Sequence, residues 1–195
     1  MTGTPTASID GMDTNIGNGR DIVTFLHTQH EQIKVMFEDV LRYDGERRER
    51  AFTALRRMLA IHETAEEEIV HPAARHAIPN GEAVIEARLG EENQAKRALS
   101  ELEKLDVDSD EFEIKFRALH ADVLKHAESE ELEEFAKLPS RVDRDELERI
   151  RAAAELAERV APTRPHPGIE SSTANFIVGP FAAMLDRARD ALAKH

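Results

Sequence analysis

The chain has 195 residues, 26 basic and 39 acidic, and a formal net charge of −13, which repels nucleic acid and anionic membrane surfaces. Cysteine is absent, which excludes disulfides, thiolate-bound zinc, iron–sulfur clusters and a cysteine nucleophile. Apolar residues make up 41%, enough for a core, and only 9 Gly and 8 Pro favour long helices over a turn-rich β fold.

Residues 1–20 are polar, rich in Gly, Thr and Asn, and read as a flexible tail. A first helix is expected over about 21–43, ending at Asp44-Gly45. A second runs over about 47–77, with Pro72 kinking or ending it locally. A third spans about 82–105 and a fourth about 110–138, stopping before Pro139. An Asp-x-x-Glu box at Asp143–Glu146 opens a fifth, to about Val160. The stretch 161–168 (APTRPHPG) carries three prolines and is a loop, and a last short helix covers about 180–194. The expected fold is all-α: an up-down-up-down four-helix bundle over 21–138, with a C-terminal helical extension over 139–195. No apolar run reaches the roughly 18 residues of a membrane span. The start of the chain lacks a basic segment followed by an apolar one, so a cytoplasmic location is expected.

An amphipathic helix buries positions stepping by three or four. In the second helix that ladder reads Leu55, Leu59, His62, Glu66, Ile69. In the fourth it reads Phe116, Leu119, Val123, His126, Glu130. The first reads Leu26, His30, Ile33, Phe37, and the third Ile85, Leu89, Glu92, Ala95, Leu99. Each of the four therefore aims a titratable group at the bundle axis. Buried carboxylates without a partner cost several kcal/mol, and a multivalent cation removes that penalty. Imidazole with carboxylate suits iron, manganese or zinc rather than calcium. Two His-x-x-x-Glu pairs on facing helices can bridge two ions through their carboxylates. The same spacing at His27 lies off the main stripe and at His166 lies in the proline-rich loop, so neither counts as motif evidence.

The residues His30-Glu31-Gln32-Ile33, His62-Glu63-Thr64-Ala65-Glu66 with the following Glu67-Glu68-Ile69-Val70-His71-Pro72, and His126-x-x-x-Glu130-Glu131 resemble a hemerythrin-like (HHE cation-binding) domain over about 21–138. The resemblance implies a four-helix bundle around a non-haem di-iron centre, oxo- or hydroxo-bridged, with iron ahead of manganese or zinc. It implies His30, His62 and His126 as histidine ligands and Glu66 and Glu130 as bridges. Members of that family usually carry a His on the third helix, where this chain has Glu91-Glu92-Asn93. The apolar register points Glu92 at the axis ahead of Glu91. The metal set expected is His30, His62, Glu66, Glu92, His126 and Glu130. Three carboxylates favour higher iron oxidation states, and reaction with O2, peroxide or nitric oxide over reversible O2 carriage. An iron sensor or store without turnover is the alternative, so enzyme status stays open. The remaining partner expectations are a redox partner protein, no nucleic acid, no membrane, and a monomer or dimer. Among neighbours, Glu63 is expected solvated, His71 at the surface, His27 at the pocket mouth or the surface, and His120 between helices. Tyr43 sits about 20 Å along the helix from His30, too far to be a ligand. The glutamate clusters at 66–68 and 130–134 are expected mostly on solvated faces. The segment 162–195 is a possible lid over the centre.

Overall fold

The computed structural model describes residues 21–160. The N-terminal tail, the proline-rich loop, the expected helix over 180–194 and the lid all lie outside the described residues. Within them the chain is helical throughout, with no strand. No described helix is long and apolar enough to cross a membrane.

Helix α1 (Ile22–Arg42) starts at Asp21, whose side chain accepts from the Thr24 N–H at 2.9 Å. Helix α2 (Gly45–Ala65) passes into a π-helical turn at Glu66–Val70 and continues as α3 (His71–Ala77). Pro72 thus does not end the long second helix. The chain widens to i→i+5 bonding just before it, with the His71 N–H on the Glu66 carbonyl. The turn to α4 (Gly81–Leu102) needs its glycine, because a Cβ on Gly81 would stand 2.3 Å from the Arg75 carbonyl oxygen. Helix α5 (Asp110–Glu130), capped by Ser109, runs into a second π-turn at Glu131–Phe135. Helix α6 (Arg144–Val160) follows, with Asp143 accepting from the Glu146 N–H at 2.9 Å.

Helix α1 packs on α2, α3 on α4, α4 on α5, and α5 back on α1. Short connections make neighbours antiparallel, which closes the four-helix bundle. Helix α6 lies across α1, α2 and the first π-turn.

The core is split in two. One apolar cluster joins Leu26, Ala65, Ile69, Ile85 and Phe135 to Leu147, Ile150, Ala154 and Ala157 of α6. The other joins Ile33, Phe37, Phe52, Leu55, Leu59, Leu99, Phe112, Phe116 and Val123. Along α1, His30 falls between Leu26 and Ile33; along α2, His62 and Glu66 fall between Leu59 and Ile69. Along α4, Glu92 falls between Ile85 and Leu99; along α5, His126 and Glu130 fall between Val123 and Phe135. The polar ladder positions therefore form one layer between two dry cores.

Candidate metal centre

The six expected ligands meet in that layer. His30, His62, Glu66 and Glu130 each offer a ligand atom within 4.8 Å of the others. Glu66, Glu92, His126 and Glu130 do the same. The two groups share Glu66 and Glu130. Glu130 directs Oε2 toward His30 Nε2 at 3.4 Å and Oε1 toward His126 Nε2 at 3.3 Å, so its two oxygens serve different groups. Glu66 Oε2 stands 3.3 Å from His62 Nε2.

Whether these residues suit metal can be judged from what they lack. His30 Nε2, His126 Nε2, both oxygens of Glu66, both of Glu130 and Oε2 of Glu92 are buried with no hydrogen-bond partner. Each such group costs about 1–3 kcal/mol if nothing contacts it. Nitrogen and carboxylate oxygen donors that are buried, converging and otherwise unsatisfied suit a pair of transition-metal ions. The chemistry of the set fits iron, manganese or zinc.

The outer face of each imidazole is already occupied. His30 Nδ1 lies 2.9 Å from Glu131, His62 Nδ1 2.8 Å from the side-chain amide oxygen of Gln29, and His126 Nδ1 3.0 Å from Glu91. A proton held on Nδ1 by such an acceptor leaves the Nε2 lone pair for a metal. Glu91, the other helix-three option, is taken up here: it accepts from His126 and from Arg88 at 3.1 Å. Glu92, 1% exposed, is the one that faces the centre.

Electrostatics separate the two shared carboxylates. Burial and the neighbouring Glu130 push Glu66 well above the ordinary carboxyl range. Burial acts the same way on Glu130, but His126, His30 and His71 together outweigh burial and hold it well below. Two carboxylates this close do not both ionise freely. His62 is pushed down to about 3, first by burial and then by His30.

Several expectations need correction. His71 is buried, not at the surface: its Nε2 is 2.7 Å from Glu92 and its Nδ1 3.3 Å from Glu134. Burial opposes its charge, yet Glu134 and Glu92 override burial and hold its pKa well above the ordinary value. Its ring nitrogens thus face Glu92 and Glu134, and with Glu130 and Glu134 it forms a third group of converging ligand atoms beside the two above. Glu63 is also buried, 3.7 Å from the Lys96 ammonium, which in addition pairs with Glu67 and approaches Glu92 at 3.9 Å. Of the glutamate clusters, Glu68 and Glu134 are buried as well as the inward-facing Glu66 and Glu130. His27 is 44% exposed and reaches Glu131 at 3.2 Å. His120 stacks on Phe37 between α1 and α5, centroids 4.6 Å apart.

A pocket of about 100 Å³ reaches the layer from the side of α1, α4 and α5. It is lined by His30, His62, Glu92 and His126 of the layer, by the apolar Ile33, Leu59, Ala95 and Val123, and by Lys34, Asp122 and Lys125. It is smaller than the cavity of about 150 Å³ that admits benzene.

The family model for the hemerythrin HHE cation binding domain matches residues 21–138. The crystal structure of a hemerythrin HHE cation binding domain-containing protein from Mycobacterium kansasii aligns with a TM-score of 0.62 at 20% identity. That alignment covers 86% of this chain and 98% of the other, and it is a likeness of fold. No curated protein matches the chain.

Proposed function

The chain belongs to the hemerythrin HHE cation-binding family, and from that premise we propose that it is a non-haem di-iron protein that reacts with O2, peroxide or nitric oxide. The observation that carries the reading is the overlap of two ligand groups on Glu66 and Glu130. A single ion needs no such sharing, whereas a pair needs bridges. His30 and His62 would hold one ion and His126 and Glu92 the other, with Glu66 and Glu130 between them. Bound iron supplies one-electron and O2 chemistry that no side chain of this chain can.

The chain's own residues supply the rest. Glu131, Gln29 and Glu91 orient the three imidazoles. His71 holds Glu92 from outside at 2.7 Å. The pocket has room for a diatomic or a peroxide beside the layer, and Ile33, Leu59, Ala95 and Val123 give it an apolar lining.

The test is elemental analysis with a visible absorption spectrum on freshly purified protein. About two irons per chain, with the charge-transfer absorption of bridged ferric ions, support the reading. Metal below about 0.2 per chain after anaerobic iron loading overturns it. Given iron, turnover of peroxide or nitric oxide is the expected result; iron without turnover selects a store or sensor instead.

A further inference from the structure

We propose that α6 is part of this centre: Glu158 fixes the Gln29 amide, and through it the proton on His62 Nδ1. The proposal deepens the reading above and rests on His62 being a ligand there. His30 and His126 each place Nδ1 against a carboxylate, Glu131 and Glu91. A carboxylate can only accept, so those two imidazoles must carry the proton on Nδ1. His62 differs. Its Nδ1 faces Gln29, an amide with an accepting end and a donating end.

Turned one way, Gln29 takes the Nδ1 proton and leaves the His62 Nε2 lone pair toward Glu66. Turned the other way, its NH2 needs the Nδ1 lone pair, the proton moves to Nε2, and His62 cannot bind a metal. Gln29 is itself buried, so water does not settle the choice. Glu158 settles it. Its carboxylate accepts from Gln29 Nε2, which leaves Oε1 for His62. The relay runs Glu158, Gln29, His62, from α6 through α1 to α2.

The position of α6 does not depend on Glu158. Ile150, Ala154 and Ala157 are fully buried in the same cluster as Leu26, Ala65 and Ile69. These α6 residues lie beyond the segment that the family model matches, 21–138. A residue outside the bundle proper therefore reaches the tautomer of one inner histidine.

The experiment uses the full chain, and two readouts. In chelator-treated, 15N-histidine-labelled protein, long-range 1H–15N correlation should show His62 protonated on Nδ1. Glu158→Ala should move the proton wholly or partly to Nε2. Gln29→Glu added to Glu158→Ala should restore Nδ1, because a carboxylate has no donating end. On iron loading, Glu158→Ala should lose roughly 10–100-fold in affinity at one of the two positions, with unchanged far-ultraviolet circular dichroism. An unchanged His62 tautomer and unchanged iron affinity in Glu158→Ala would overturn the proposal. A tautomer shift in a chain whose wild type takes up no iron upholds the relay and sinks the di-iron reading instead.

Discussion

Removing one of the shared carboxylates should stabilise the metal-free protein and destroy its response to metal. Glu66 is the residue to change. It is completely buried and neither of its oxygens has a hydrogen-bond partner. Burial and Glu130 push its carboxyl well above the ordinary range, toward the neutral form, so the penalty lies nearer that of an unsatisfied polar group than that of a full charge. That penalty is about 1–3 kcal/mol. Leucine has nearly the volume of glutamate and no polar atom, so Glu66→Leu should raise the stability of chelator-treated protein by about 1–3 kcal/mol. At roughly 2–4 °C per kcal/mol for a chain of this size, Tm should rise by about 2–12 °C. Iron-loaded wild type should sit about 4 kcal/mol above metal-free wild type when free iron is a thousandfold over its Kd, and so about 1–3 kcal/mol above the variant. The expected order is therefore metal-free wild type, then the variant with or without iron, then loaded wild type. Denaturant melts of the four samples test it. A variant that melts below metal-free wild type would mean that Glu66 is a paired, stabilising member of a structural polar layer. A variant that still holds both irons would refute the bridging role.

Two further outcomes follow from the same electrostatics. His71→Ala removes the shared partner of Glu92 and Glu134, both wholly buried at the side chain, and should cost about 3–5 kcal/mol in a chemical-denaturation experiment; an unchanged midpoint would show that neither carboxylate relies on it. For pH, His62 has an ordinary value of 6.5 and lies near 3 in the fold. Between those limits the unfolded chain binds the extra proton, so this contribution is present above pH 6.5 and is lost as pH falls. Metal-free wild type should therefore lose about 2 kcal/mol relative to His62→Gln between pH 6.5 and 5, and a flat difference across that range would contradict the burial argument.

The centre was legible in the sequence wherever the helical repeat alone decides what faces inward. His30, His62, His126, Glu66, Glu92 and Glu130 interrupt otherwise apolar ladders, and a period of 3.6 identifies each interruption without reference to another helix. The residues that surround them were not legible, for two reasons. Glu63 lies about 100° round α2 from His62 and is buried only because Lys96 of α4 meets it, which is a fact about two helices and not one. Gln29 and Glu158 are 129 positions apart, and an interhelical amide–carboxylate contact leaves no periodic trace. His71 fails for a different reason. Five residues beyond Glu66 is about 140° round an α-helix, which points away from the axis. The π-turn inserts one residue in between and brings His71 back inward.

That insertion occurs twice, at corresponding places. On α2 the i→i+5 turn begins at Glu66, and on α5 it begins at the residue after Glu130. In both, a backbone N–H five residues on closes the wide turn, His71 on Glu66 and Ala136 on Glu131. A regular α-helix buries one residue in three or four along a stripe. Here His62–Glu66 are buried in succession up to the wide turn, Glu68, Ile69, Val70 and His71 carry the burial on through it, and Glu134 and Phe135 are buried on the other helix. The wide turn thus lets a single helix deliver both a shared carboxylate and, within one turn, the apolar residues that seal the layer below it. His71 arrives by the first turn and Glu134 by the second, and they meet at 3.3 Å. The His71–Glu134 pair that backs Glu92 is therefore a product of two matched departures from α-helical pitch. Pro72, which disfavours the regular helix at the first of them, is the one part of that device written openly in the sequence.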